Sequence, residues 1–121
     1  MDKGQAVQYF WDGFGLPAYD ANTVPSDAVL PYITYEVSTG KLDDTINMTA
    51  SLWYRSTRWD EVSKKAAQIA QEIVGMRSPL AIDGGYLWIV QGAPFSQRMS
   101  DPDDSIRRIV LNIQAEFLTG D

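Results

Sequence analysis

From Thr45 to Arg55 the chain alternates strictly. Ile46, Met48, Ala50, Leu52 and Tyr54 fall on one side, and Asn47, Thr49, Ser51, Trp53 and Arg55 on the other. A period of two predicts a strand with one buried face. The second face is unusual. It is polar, yet only one of its five positions is charged, and it carries a tryptophan. A solvated face usually holds more Lys and Glu, and a core face holds no Asn. Neutral polar groups around an aromatic suit contact with another protein. An ordinary solvated sheet face is the alternative.

The pattern then changes period. Val62, Ala66, Ile69, Ala70, Ile73 and Val74 form an apolar stripe, with Lys64, Lys65, Gln68, Gln71 and Glu72 mostly opposite. This predicts an amphipathic helix of about four to five turns lying on a sheet. Ser56 or Thr57 is positioned to cap it, Asp60 and Glu61 sit near its positive end, and Gly75 stops it. An earlier helix, from about Lys3 to Phe14, is predicted by Ala6, Val7, Phe10, Trp11 and Phe14 at helical spacing. Gly13, Gly15 and Pro17 end it.

The remaining segments read as strands and turns. Leu16 to Pro31 is a connection punctuated by prolines. Tyr32 to Val37 is a strand rich in aromatic and β-branched residues. It should form an antiparallel hairpin with the Thr45–Arg55 run, and the join through Asp43 and Asp44 is long enough to project. Leu80–Ile82 and Tyr86–Val90 flank Asp83-Gly84-Gly85 as a second hairpin. Gly92 to Asp104 reads as a loop. Ile106 to Leu118 is a long last strand, with Ile109, Leu111, Ile113, Ala115 and Phe117 on one side. Val110, Asn112, Gln114 and Glu116 on the other side again form a polar face with little charge. The order of elements predicts an α+β fold: a mostly antiparallel sheet of about five strands with two helices packed on one face. Residues 1–121 read as a single domain, since 121 residues suffice for one core and not for two.

Composition narrows the chemistry. The chain has no His and no Cys. Disulfides, thiol catalysis, Cys/His zinc sites and imidazole-based triads are therefore excluded from a single chain. An enzyme would have to work with Asp, Glu, Lys, Tyr, Ser or Thr. The formal net charge is −6, and the basic residues are scattered, which disfavours a grip on a nucleic-acid backbone. No apolar run approaches the roughly 20 residues of a membrane span, and the first residues lack a signal-peptide layout. The expectation is a soluble cytoplasmic product with no membrane partner.

Asp101-Pro102-Asp103-Asp104 places three carboxylates in four residues. The segment lacks the glycine and the distant Glu of a calcium loop, so a solvated acidic turn is the simpler reading. Gly84-Gly85 lacks the Lys-Ser/Thr ending of a phosphate-binding loop. Trp53, Trp59 and Trp88 are able to stack bases, but without basic neighbours in number packing or a protein interface is the better reading. No cofactor, metal or catalytic residue is expected.

Taken together, several segments resemble the small tail-completion proteins of long-tailed phages and prophages, namely tail terminators and the related head–tail joining proteins. The segments are Val29-Leu30-Pro31-Tyr32-Ile33-Thr34-Tyr35, Leu52-Trp53-Tyr54-Arg55-Ser56, Trp59-Asp60-Glu61-Val62, Gly84-Gly85-Tyr86-Leu87-Trp88-Ile89, Gly92-Ala93-Pro94-Phe95 and Arg107-Arg108-Ile109-Val110-Leu111-Asn112-Ile113-Gln114. The likeness spans most of residues 28–118 and rests on element order and loose local patterns, not on a diagnostic motif. It implies a small subunit that forms a ring, commonly a hexamer. Such a ring caps the tail tube and joins it to the head. The implied partners are further copies of the chain, the tail tube and the head connector, with DNA passing through unbound. The implied place is the virion tail, assembled in the bacterial cytoplasm. No functional residue is transferred by the likeness.

The sequence itself nominates Trp53, Arg55, Asn112 and Gln114 as an oligomer interface. Asp43, Asp44, Asp101, Asp103 and Asp104 are acidic loop residues that could face the channel and keep DNA mobile by repulsion. Competing readings are another neck or tail-tube position, a small cytoplasmic adaptor that binds a protein or peptide, and an enzyme built on carboxylates or tyrosine.

Overall fold

The computed structural model describes residues 2–39, 45–75 and 80–119. Two helices and six strands follow one another along the chain. Helix α1 (Lys3–Asp12) is opened by a reciprocal cap: the Asp2 carboxylate accepts from the Gln5 backbone, and the Gln5 side chain accepts from the Asp2 backbone. Strands β1 (Ala18–Asp20), β2 (Tyr32–Thr39) and β3 (Thr45–Arg55) follow, then helix α2 (Asp60–Val74). Strands β4 (Leu80–Ile82), β5 (Gly85–Met99) and β6 (Ile106–Thr119) complete the fold. The sheet order is β1-β2-β3-β6-β5-β4. Every pairing is antiparallel except β1 with β2. The fold is α+β, as expected.

Both helices cover one face of the sheet. Met48, Ala50, Leu52 and Tyr54 of β3 are buried there, as are Ile109, Leu111, Ile113 and Ala115 of β6. Leu52, Ile69 and Leu111 are each fully buried in the same cluster. The alternation read from the sequence therefore assigns the faces correctly on both long strands. The α1 stripe is also buried, and it is held by an aromatic group: Trp11 stacks on Tyr35, and Phe10 meets Trp11 and Phe14 edge to face. Trp11 Nε1 donates to Met48 Sδ at 3.3 Å. Polar side chains fix the helices further. Gln8 donates to the Ala18 carbonyl at 3.0 Å, and the Tyr35 hydroxyl donates to Gln8. Lys65 Nζ donates to the Phe14 carbonyl at 2.9 Å and so ties α2 to the end of α1. Helix α1 touches β1 and β4, which lie at opposite edges of the sheet. The sheet is therefore curled around α1.

The structure corrects four expectations. The Leu16–Pro31 connection contains a sixth strand, β1, which is too short at three residues to show a period. The segment from Gly92 to Met99 is strand, not loop. Pro94 has no N–H to give a ladder, but the β5–β6 register shifts between Gln91 and Ser96, so the proline falls where pairing is interrupted. The α2 cap is neither Ser56 nor Thr57. Trp59 holds that position without a side-chain bond, while Ser56 Oγ accepts from the Arg58 backbone in the preceding turn. Val74, assigned to the apolar stripe, is exposed at the end of α2. The join from Gly40 to Asp44 lies outside the described residues. Gly84 takes the positive φ of 81° that the β4–β5 turn requires.

Candidate functional site on the open sheet face

No helix among the described residues covers the other face of the sheet. Strand parity places Thr34 and Glu36 of β2, Ser51 and Trp53 of β3, and Arg108 and Val110 of β6 on it. These residues line a concavity of about 400 Å³, together with Ala21 and Val24 of the β1–β2 connection. Its centre is a cross-strand constellation. Trp53 Nε1 donates to Thr34 Oγ1 at 2.9 Å. The Arg108 guanidinium lies 4.4 Å from the Trp53 ring centroid, a cation–π contact. Arg108 Nε donates to Ser51 Oγ at 3.1 Å. Ser51 is buried at 6 % exposure, because its small hydroxyl is covered by the arginine it anchors. Among the described residues, the two Nη groups of Arg108 have no hydrogen-bond partner. A stacked, anchored guanidinium with a free fork is a ready pair of donors for a carboxylate.

Trp53, one of the four residues nominated from the sequence, lies at this centre. Arg55 lies one pleat further along and donates to Ser105 Oγ at 3.1 Å. Asn112 and Gln114 share the open face but pair with Thr49 and Asn47, at the other end of β3. Thus the four nominated residues occupy one face and do not form one cluster. Asn112 is partly committed within the chain: its Nδ2 donates to the Pro94 carbonyl at 2.9 Å. A Cβ on Gly92 would sit 2.8 Å from the Asn112 carbonyl oxygen, so only glycine allows β5 to approach β6 there. Gln114 is exposed.

Sequence reading placed Ser51 on this face without nominating it, and missed Arg108, Thr34 and Glu36. Strand register brings them together from distant parts of the chain, and no local spacing signals that. It also missed an apolar end of the same face. Tyr86, Trp88, Val90 and Leu118 are all exposed, and the pairing of β5 with β6 sets them side by side. Here a signal existed: the alternation in Tyr86–Val90 puts these side chains opposite Leu87 and Ile89.

The acidic turn is ordered by its own hydrogen bonds. Asp101 Oδ1 accepts from the Asp103 backbone, and Asp103 Oδ1 accepts from both the backbone and the hydroxyl of Ser105. Those bonds hold the Asp103 carboxyl below its ordinary pKa, the side-chain bond being the larger cause. Asp104 is exposed. Asp43 and Asp44 lie outside the described residues. Among the described residues no group of acidic side chains converges closely enough to hold a metal ion. Tyr35 and Tyr54 have raised pKa values, chiefly through burial and then through nearby carboxylates, so neither is primed as a base. No helix among the described residues is long and apolar enough to cross a membrane.

No protein-family model matches the sequence, and no curated protein matches it. A solved structure does share the fold. A chain in the virion of a native gene transfer agent particle superposes with a TM-score of 0.59 at 19 % identity, over 92 % of this chain and 84 % of that one.

Proposed function

We propose that this chain is a structural subunit of a phage-like particle, and that it acts as a tail terminator: a ring that caps the tail tube and joins it to the head. The observation that carries the reading is the shared fold with a chain of a gene transfer agent virion across 92 % of the sequence. The local likeness to tail-completion proteins agrees with it. So does the open face, which pairs a stacked Trp53–Arg108 group with the exposed Tyr86, Trp88, Val90 and Leu118. Large aromatics and arginine are enriched where protein surfaces meet. Such a role requires no cofactor and no active site. Its partners are further copies, the tail tube and the head connector, and DNA traverses the ring without specific binding. The subunit assembles in the host cytoplasm and ends in the virion tail.

Native mass spectrometry and electron microscopy of the purified chain test the reading. A closed ring of about six copies is expected. A stable monomer at all concentrations overturns the ring and favours the small adaptor instead. In a particle lacking this chain, tails of uncontrolled length or unjoined heads are the expected phenotype.

A further inference from the structure

The open face and helix α2 lie on opposite sides of the same sheet, and their charges are complementary. On the open face, Arg108 and Glu36 mark two ends of the concavity. Glu36 is opposite Thr49, and Arg108 is opposite Trp53, four residues further along β3. At ~3.4 Å per residue and ~4.8 Å per strand they are about 14 Å apart along the strands and about 10 Å apart across them, roughly 17 Å overall. On α2, Lys64 and Glu72 share the exposed half of the helix, eight residues apart. At 1.5 Å per residue that is about 12 Å. Both surfaces therefore carry one positive and one negative end, and the long, flexible Arg108 and Lys64 side chains can span the roughly 5 Å difference in spacing. The nearer α2 acids, Asp60 and Glu61, lie within about 6 Å of Lys64 along the axis and do not match.

The four groups are also free to engage a partner. Among the described residues, Glu36 and Lys64 have no hydrogen-bond or ion-pair partner, and Arg108 has both Nη groups uncommitted. Glu72 accepts only a long 3.5 Å bond from Gln68. We propose that the open-face concavity of one subunit receives helix α2 of a second copy, with Arg108 meeting Glu72 and Glu36 meeting Lys64 of the neighbour. Trp53, beneath Arg108, forms the aromatic centre of the contact. The two surfaces are different and sit back to back across one sheet, so the contact is head-to-tail. Repeated head-to-tail contacts generate a ring when the rotation closes. The inference rests on the self-assembly proposed above and names the surfaces that carry it.

The chain has no cysteine, which gives a clean background for crosslinking. In a variant with both Glu36→Cys and Lys64→Cys, mild oxidation should produce a ladder of disulfide-linked oligomers up to the ring. Either change alone should give no ladder. A charge exchange supplies the second arm. Glu36→Lys should weaken self-association about tenfold or more, and Glu36→Lys combined with Lys64→Glu in the same chain should restore it. Both positions are exposed, so circular dichroism should be unchanged throughout. If wild-type rings form but the double-cysteine chain gives no ladder and the exchange does not restore assembly, the α2 contact is overturned while the ring stands. If the wild type stays monomeric, the ring and this contact fall together.

Discussion

Arg107 and Arg108 are neighbours in sequence and opposites in structure. Each stacks on a tryptophan. Arg107 points to the helix side, where its guanidinium lies 5.5 Å from the Trp59 ring at the start of α2. Its Nη groups donate to the carbonyls of Asp104, Ile106 and Thr57, while its buried Nε has no partner among the described residues, so three donors are engaged within the chain. Arg98 reaches the same ring at 4.8 Å. Arg108 points to the open face, stacks on Trp53 and spends only Nε on Ser51. The contrast teaches that residue type does not distinguish a structural arginine from one available to a partner. What distinguishes them is how many donors the fold has already engaged.

The broadest test of the comparison sets the two faces against each other. On the helix side, Leu52→Ala, Ile69→Ala and Leu111→Ala should each cost roughly 2–5 kcal/mol. On the open face, Gln114→Ala should stay within about 0.5 kcal/mol. Urea denaturation of the four variants gives the answer, and comparable losses on both faces would mean that the open face is not open. A narrower test uses the two arginines. Arg107→Ala removes charged hydrogen bonds to three carbonyls and should cost about 2–3 kcal/mol of stability. Arg108→Ala should cost about 1 kcal/mol or less yet weaken assembly more than Arg107→Ala does, as read by light scattering. Next comes the double change Trp53→Ala with Arg55→Glu. It should keep the circular dichroism spectrum while weakening assembly by about 2 kcal/mol. An unchanged oligomer would remove the Trp53 end of the face from the interface.

The smallest effect concerns pH. The Asp103 carboxyl is held below its ordinary value of 3.8 by two bonds from Ser105. Its contribution is present above the unfolded pKa and lost as pH falls through the lowered folded value. Asp103→Asn should therefore lower the melting temperature slightly at neutral pH, and the difference should vanish in strong acid. A constant difference at every pH would assign the loss to the turn geometry alone.

The sequence revealed the fold where periodicity was long and uninterrupted. Eleven residues of β3 and fourteen of β6 fixed which side chains are buried, and α2 supplied a clear stripe. Short or broken elements were not legible. β1 has three residues, and Pro94 disguised the second half of β5. The site was legible only in part for a related reason. Trp53 was visible on its own strand, but its partners Thr34 and Arg108 reach it across β2 and β6 through register. Asn112 and Gln114 were placed on the correct face, four and six residues along β6 from Arg108, because parity gives the face and not the position along it. The acidic turn illustrates a third case. Asp101 and Asp103 spend carboxylate oxygens on the turn itself, and a run of acidic letters does not show that.

The curl of the sheet around α1 carries a consequence for the order of folding. The helix contacts β4, more than sixty residues later in the chain, as well as β1 beside it. During synthesis the β2–β3 hairpin can close early, because its pairing is local. The Phe10–Trp11–Phe14 aromatic group finds Tyr35 and Met48 on that hairpin, but its site is completed only when β4 has emerged and paired. Long-range closure of this kind is slow, and it leaves apolar surface exposed in the interval. A nascent subunit therefore carries an incompletely covered, adhesive helix until its last third is made. Premature encounter of two unfinished chains would join them through that helix rather than through their finished surfaces.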